Sequence, residues 1–153
     1  MPVVEEKLRK MGYPVPQPPG PAGNYVPGVR VGNLVFLSGS GPKRPDGSLI
    51  IGKVGRDLTL EQGQEAARWS ALNVMANLKT IIGDLDKVKR IVKVLGMVNS
   101  APEFGDHPKV MNGCSDLMVA AFGEKGRHAR SAVGMAALPS NIAVEIEMIV
   151  EVE

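Results

Sequence analysis

The sequence has few of the residues on which metal and disulfide chemistry depend. It contains one cysteine, Cys114, and two histidines among its 153 residues. A single cysteine excludes a disulfide within the chain and any metal site built from several cysteines. With only His107 and His128 available, a zinc centre made of histidines is not expected either. Aromatic residues are also scarce, at 4%, so each of the two tyrosines merits inspection.

Charge of one sign and long apolar runs are lacking too. Lys and Arg number 18 against 16 Asp and Glu, a net charge of +2. This gives little electrostatic reason to expect a nucleic-acid partner. No run of about 18 apolar residues suggests a membrane span, and residues 1–12 contain no apolar core typical of a signal peptide. We therefore expect a cytoplasmic protein with no membrane partner.

The hydrophobic content is 44%, which suits a folded core in a chain of one-domain length. Apolar residues recur at helical spacing after the capping box that begins at Thr59, and Gly83 closes this stripe. A second amphipathic stripe runs over 108–122, and strict alternation over 142–152 predicts a strand. The predicted strands lie at 29–31, 34–37, 49–51, 88–98, 131–138 and 142–152.

The resulting order, β-β-β-α-β-α-β-β, predicts an α+β domain with a mixed sheet and both long helices on one face. Ahead of it, 3–11 has the pattern of a short helix, and five prolines follow between Pro14 and Pro21. We expect an N-terminal helix and proline-rich arm over 1–22 and a single domain over 23–153. The arm can be a surface tether or a ligand for another protein.

No standard catalytic signature is present, and Cys114 falls on the apolar stripe of the second helix, as expected for a buried thiol. Three polar residues occupy settings that suggest a site. Arg130 precedes a small-residue strand and can offer a bidentate fork to a carboxylate. Glu145 lies opposite the apolar stripe of the last strand. Tyr25 is held in a loop between two Pro/Gly-containing segments.

These residues belong to an ordered set of motifs that resembles the YjgF/RidA family. The set comprises GNYVPGV at 23–29, LSG at 37–39, RSAV at 130–133, LP at 138–139 and VEIE at 144–147. The resemblance implies a chorismate-mutase-like fold, a homotrimer and clefts between neighbouring subunits. It also implies hydrolysis of reactive imines and enamines to 2-oxo acids and ammonia. Translation-inhibitor and endoribonuclease activities are also attributed to the family.

The family's site residues carry over one by one. Arg130 matches the arginine that holds the substrate carboxylate, Glu145 the carboxylate near the reacting carbon, and Tyr25 the tyrosine lining the cleft. The remaining matches are to substrate-binding positions: Ser38 and Gly39 at a strand end, Asn112 on the second helix, and Ala132 on the following strand.

Two departures from the family pattern affect this assignment. Ala132 stands where many relatives carry cysteine, which excludes a thiol role there. Gly134 stands where many carry a larger charged side chain. We therefore expect a small carboxylate-bearing metabolite as ligand, with no metal and no cofactor. Imine hydrolysis is the leading hypothesis. A non-catalytic sensor of 2-oxo acids or related anions remains an alternative, and so does a protein that acts on RNA, although the charge balance disfavours it.

Overall fold

The computed structural model describes residues 2–20 and 23–153; the expectations that fall on Met1, Pro21 and Ala22 lie outside this part. Within these two ranges the chain forms three α-helices and five strands, besides short 3-10 turns. The helices are α1 (Val3–Lys10), α2 (Leu60–Ile82) and α3 (His107–Phe122), and the strands are β1 (Gly28–Val31), β2 (Leu34–Ser40), β3 (Val88–Asn99), β4 (Ala129–Met135) and β5 (Val144–Val152).

The five strands form one mixed sheet in the order β1-β2-β5-β3-β4. Only the β3–β4 pair is parallel, because α3 makes the crossover between these two strands. In β5 every second residue from Val144 to Val152 is buried, as the alternation predicted. These residues share a hydrophobic core with α2 and α3, which confirms an α+β domain with a mixed sheet.

Helix α2 begins where the sequence predicts. The Thr59 hydroxyl accepts from the Gln62 amide at 3.1 Å, and the Gln62 side chain accepts from the Thr59 amide at 2.8 Å. Both halves of the capping box are therefore formed, and two amides that the first turn would leave without partners are satisfied. Cys114 is fully buried on α3, and burial raises the pKa of its thiol to about 12. The prediction of an inert core thiol is confirmed.

Two strand predictions were wrong. Residues 49–51 form only isolated bridges, Leu49 with Lys43 and Ile51 with Ile142. The second error is the end of β2, which the sequence predicted at Leu37. The strand continues to Ser40, and the β2–β5 register shifts between Leu37 and Ser40. A bulge of this kind bends a strand and redirects its side chains.

The N-terminal helix is docked onto the domain. The Asp86 carboxylate accepts from the amides of Val3 at 2.7 Å and Val4 at 2.9 Å, at the helix end that favours negative charge. Val4 and Leu8 are buried in the common core. Tyr13 also packs against that core, so the beginning of the arm is more than a surface tether. A role as ligand for another protein, and a domain boundary after residue 22, remain predictions.

The two long helices approach closely where Gly113 faces Gln64. A Cβ at Gly113 would lie 3.0 Å from both the Cα and the carbonyl carbon of Gln64, and closer still to its carbonyl oxygen. Backbone atoms cannot yield as a flexible side chain can. The glycine therefore sets the distance between α2 and α3.

We expect Gly113→Ala to lower the free energy of unfolding by about 1–3 kcal/mol, because overpacking outweighs the gain in helix propensity. Urea denaturation measures this difference. Gly105→Ala is the matched control, since no atom lies within 4 Å of its Cβ position; its effect should stay within about 0.5 kcal/mol. Equal stability of the two variants would show that the helices can separate without cost.

Candidate functional site

A cavity of about 610 Å³ opens beside the bulge in β2. Four of the residues predicted from the sequence line it: Tyr25, Ser38, Gly39 and Glu145. They come from a loop, from β2 and from β5, so three separate parts of the chain build this wall. We call this space the β2 cavity.

Ser38 fastens the Tyr25 loop to the sheet. Its hydroxyl donates to the Val26 carbonyl at 2.7 Å, and its amide donates to the Pro27 carbonyl at 2.9 Å. These two bonds hold the residues that follow Tyr25 against β2. Tyr25 itself is about half exposed, with a relative accessibility of 48%. Its ring lies at the rim of the cavity, where a ligand can reach it.

Gly39 and Glu145 make the closest contact in the cavity. A Cβ on Gly39 would lie 3.1 Å from Cδ and 3.2 Å from Cγ of Glu145, and closer still to its Oε2. A side chain at this position would force the Glu145 carboxyl group to move away. The glycine predicted to contact ligand through its backbone therefore also positions Glu145.

Glu145 has the environment of an acid–base group. Its carboxyl group makes no hydrogen bond or ion pair with any residue in 2–20 or 23–153. Burial, and secondarily the charge of Glu147, raise the pKa of Glu145 above its ordinary value. A carboxyl group with a raised pKa in a cavity is typical of proton transfer.

Two asparagines on α2 support the cavity, and the sequence analysis missed both. Asn73 donates from Nδ2 to the carbonyls of Gly41 and Lys43, each at 3.0 Å. Asn77, which lines the cavity, donates to the Ser40 hydroxyl at 3.3 Å. Both are buried amides on α2, one helical turn apart. That pattern could have identified them, because buried amides require hydrogen-bond partners.

Arg130 lies elsewhere, on the edge strand β4. Its Nη1 donates to Asn112 Oδ1 and to Ser115 Oγ, both at 3.0 Å. Within the part of the chain that the structure describes, Nε and Nη2 make no hydrogen bond. These two nitrogens form the side edge of the guanidinium, which binds a carboxylate in bidentate fashion. Asn112 therefore orients the arginine, and the free edge is available for a ligand.

His128 extends this network. Its Nδ1 lies 2.7 Å from the Gly126 carbonyl, which can only accept, so the proton is on Nδ1. Nε2 then accepts from the Ser115 hydroxyl at 2.8 Å. Burial lowers the pKa of His128 below its ordinary value, which favours this neutral form. The Ser115 hydroxyl, its proton directed to His128, presents its oxygen to Arg130.

The predicted residues thus fall into two partial sites. Arg130 and Asn112 do not line the β2 cavity, and half-buried Ala132 packs against the core. Arg130 lies on β4 and Glu145 on β5, two strand spacings apart, about 10 Å at about 4.8 Å per spacing. Through β3, Arg130 is also in register with Met148, three residues along β5 from Glu145. A small ligand in one protomer cannot contact Arg130 and Glu145 together.

Gly134, the other departure from the family pattern, has a structural explanation. A Cβ there would lie 2.5 Å from His107 Nε2 and 2.9 Å from Ser100 Oγ. Ser100 and His107 are hydrogen-bonded to each other at 3.0 Å. The missing side chain therefore makes room for the imidazole at the beginning of α3.

The described residues include neither a candidate metal centre nor a candidate membrane span. Among the described residues, no three or more His, Cys, Asp or Glu side chains converge in a way that could hold an ion. No helix in the same part of the chain is both long enough and apolar enough to cross a bilayer.

Comparison with known proteins places these features in a family. The family model described as "YjgF/chorismate_mutase-like, putative endoribonuclease" matches residues 5–152. The chain belongs to the YjgF/RidA family. The match includes α1 and the proline-rich arm as well as the sheet.

Three relatives illustrate the range of this family. Protein TCP17 of Trypanosoma cruzi is 45% identical over 149 residues, which cover 97% of this chain and 93% of that protein. The 2-iminobutanoate/2-iminopropanoate deaminase of Dermatophagoides farinae is 31% identical, with coverage of 90% and 93%. The crystal structure of Atu1372 from Agrobacterium tumefaciens is 43% identical, covers 98% of this chain and 92% of its own, and superposes with a TM-score of 0.91.

The raised pKa of Glu145 predicts a pH-dependent stability. The folded state holds the proton more tightly than the unfolded state, so stability falls as pH rises from the ordinary carboxyl pKa through the folded one. We expect Glu145→Gln to melt at a higher temperature than wild type at pH 7, with the difference shrinking towards pH 4. Scanning calorimetry across this range measures it.

Glu151→Gln is the control, because it removes the same charge from the same face of β5 outside the cavity. Its melting temperature should follow that of the wild type at each pH. A Glu145→Gln protein less stable than wild type at pH 7 would mean that the carboxylate makes a stabilising contact instead.

Proposed function

We propose that the protein hydrolyses 2-imino acids and their enamine tautomers to 2-oxo acids and ammonia, in clefts shared by two subunits of a homotrimer. The observation that carries the proposal is the division of the site into two partial sites. One offers the free edge of Arg130 to a carboxylate. The other offers Glu145, with its raised pKa, beside Gly39 and Tyr25.

The chemistry suits a small anion with one electrophilic carbon. Arg130 fixes the substrate carboxylate, and this orientation brings the imine carbon to the neighbouring subunit's cavity. Glu145 takes a proton from water as the water oxygen bonds to that carbon, and a carbinolamine forms. Glu145 then returns the proton to the nitrogen. As the C–N bond breaks and ammonia leaves, the carbinolamine hydroxyl passes its proton to the Glu145 carboxylate, and a 2-oxo acid remains. A protonated imine is electrophilic enough to react without a cofactor.

The Dermatophagoides farinae relative supports this substrate class through its name, 2-iminobutanoate/2-iminopropanoate deaminase. We assign the same reaction to this chain, with Arg130 and Glu145 in the roles described above. A cavity wall with an acid–base carboxyl group and a separate carboxylate fork are the two parts that imine hydrolysis needs.

Exposed apolar side chains on the sheet support the trimer. Phe36 and Leu34 on β2, and Val133 on β4, expose 42%, 37% and 39% of their surface. Phe36 pairs with Ile149 across the sheet, so the apolar area continues onto β5. Burying such area is the usual driving force for association. In a cyclic trimer, the Arg130 edge of one subunit would face the β2 cavity of the next.

We expect Arg130→Ala to lower kcat/KM by about 10–100-fold, because it removes charge-assisted hydrogen bonds to the carboxylate. An amino-acid oxidase supplies the imine, and release of the 2-oxo acid is followed. Arg130→Lys should recover little activity, since an ammonium lacks the bidentate edge. Arg127→Ala, which removes an exposed arginine paired with Glu124, is the control.

Wild type that does not accelerate 2-oxo acid release would contradict the proposal. Equal acceleration by wild type and Arg130→Ala would contradict the role of the arginine. A protein that is thermally stabilised by 2-oxo acids without turnover would instead be a binder in the same clefts.

Mixing two inactive variants tests whether the cleft is shared. Each mixed trimer of Arg130→Ala and Glu145→Gln subunits contains one cleft with both native residues. Random exchange of subunits should therefore restore about one quarter of wild-type activity. Refolding the variants together and assaying the mixture measures the recovery, with separately refolded variants as controls. No recovery in mixtures shown to be trimeric would place both residues in one subunit's site.

A further inference from the structure

The proline-rich arm is anchored at its beginning. The Tyr13 hydroxyl donates to Glu65 Oε2 at 2.9 Å, and its ring packs on Trp69 with centroids 5.5 Å apart. The Arg68 guanidinium lies 5.6 Å from the centre of the same ring. All three partners are on α2. Tyr13 is thus held through its hydroxyl, its ring edge and its ring face, so the arm leaves α1 in a defined direction.

From this anchor the arm runs extended to the β2 cavity. Residues 14–20 form neither helix nor strand, and Pro14, Pro16, Pro18 and Pro19 restrict their backbone. Pro19 and Gly20 line the cavity that Tyr25 and Glu145 also line. A proline-rich segment loses little entropy on ordering, so it can serve as a stiff wall.

The cavity is larger than the smallest 2-imino acids require. Its volume of about 610 Å³ falls in the range of about 300–1,000 Å³ common for drug-sized ligands. Much of the lining is apolar and is contributed by Pro19, Pro27, Leu49 and Ile142. These apolar side chains suit a hydrocarbon chain; the polar side chains Ser40, Lys43, Asn77 and Ser140 line the rest of the cavity.

We propose that the arm is a specificity wall: Pro19 contacts the substrate side chain, and the cavity selects 2-imino acids with a long apolar side chain over 2-iminopropanoate. This inference rests on the proposed imine hydrolysis and adds to it the class of substrate. The arm therefore acts on side-chain preference, while Arg130 and Glu145 act on the carboxylate and the reacting carbon.

The test compares kcat/KM for the imines of leucine and alanine, both generated by an amino-acid oxidase. Wild type should prefer the leucine-derived imine. Pro19→Trp fills the space beside the wall and should lower the leucine-to-alanine ratio about tenfold. Pro18→Trp adds the same bulk to the exposed neighbour, outside the cavity lining, and should keep the wild-type ratio.

The possible outcomes distinguish substrate selection by the arm from imine hydrolysis itself. If both imines are turned over and the leucine-to-alanine ratio of kcat/KM is the same in wild type and Pro19→Trp, the arm does not select the substrate. Imine hydrolysis itself is then still supported. Preference of the wild type for the alanine-derived imine overturns the proposed substrate class. No turnover of either imine by wild type removes the hydrolysis and the inference with it.

A second pair of variants tests the anchor without adding bulk to the cavity. Tyr13→Ala releases the arm from α2 and should raise KM for the leucine-derived imine more than for the alanine-derived one. Tyr13→Phe keeps the ring contact with Trp69 and loses only the bond to Glu65, so its effect should be smaller. Equal KM changes for both imines in Tyr13→Ala would mean that the arm stabilises the fold without selecting the substrate.

Discussion

The contact between the Glu145 carboxyl group and the bare backbone of Gly39 is the constraint on which the β2 cavity depends. It exists because the β2–β5 register shifts between Leu37 and Ser40. The bulge brings the strand backbone against β5 and opens space beside Tyr25. It also leaves a carboxyl group in partial burial without a described partner, a state that costs stability and raises its pKa.

Whereas Glu145 is partly buried in a cavity, the order of the strands leaves Arg130 at an edge of the sheet. Because β4 is an edge strand, Arg130 lies where no further strand covers it. Its orientation comes from α3, through Asn112 and Ser115, and His128 fixes the Ser115 hydroxyl in turn. A cation held by neutral partners keeps its full charge for an anionic ligand. In the proposed trimer, the Arg130 edge of one subunit and the β2 cavity of the next would together complete one site.

Two buried amides on α2 support the segment that follows β2 beside the cavity. The buried side chains of Asn73 and Asn77 on α2 bind the chain that leaves β2, so the loop carrying Lys43 is held without regular strand pairing. The same helix anchors Tyr13 through Glu65 and Trp69. Helix α2 therefore supports the β2 cavity from two sides, through the segment after β2 and through the arm.

The sequence by itself determined the long helices and the alternation of β5, because each is encoded in local periodicity and capping. It also identified Tyr25, Ser38, Gly39 and Glu145, which the fold brings into one cavity. The continuation of β2 past Ser38 and the absence of a ladder at Leu49 were decided by tertiary structure, since pairing depends on distant strands. The separation of Arg130 from Glu145 was decided there too, because strand order follows from packing and not from order along the chain.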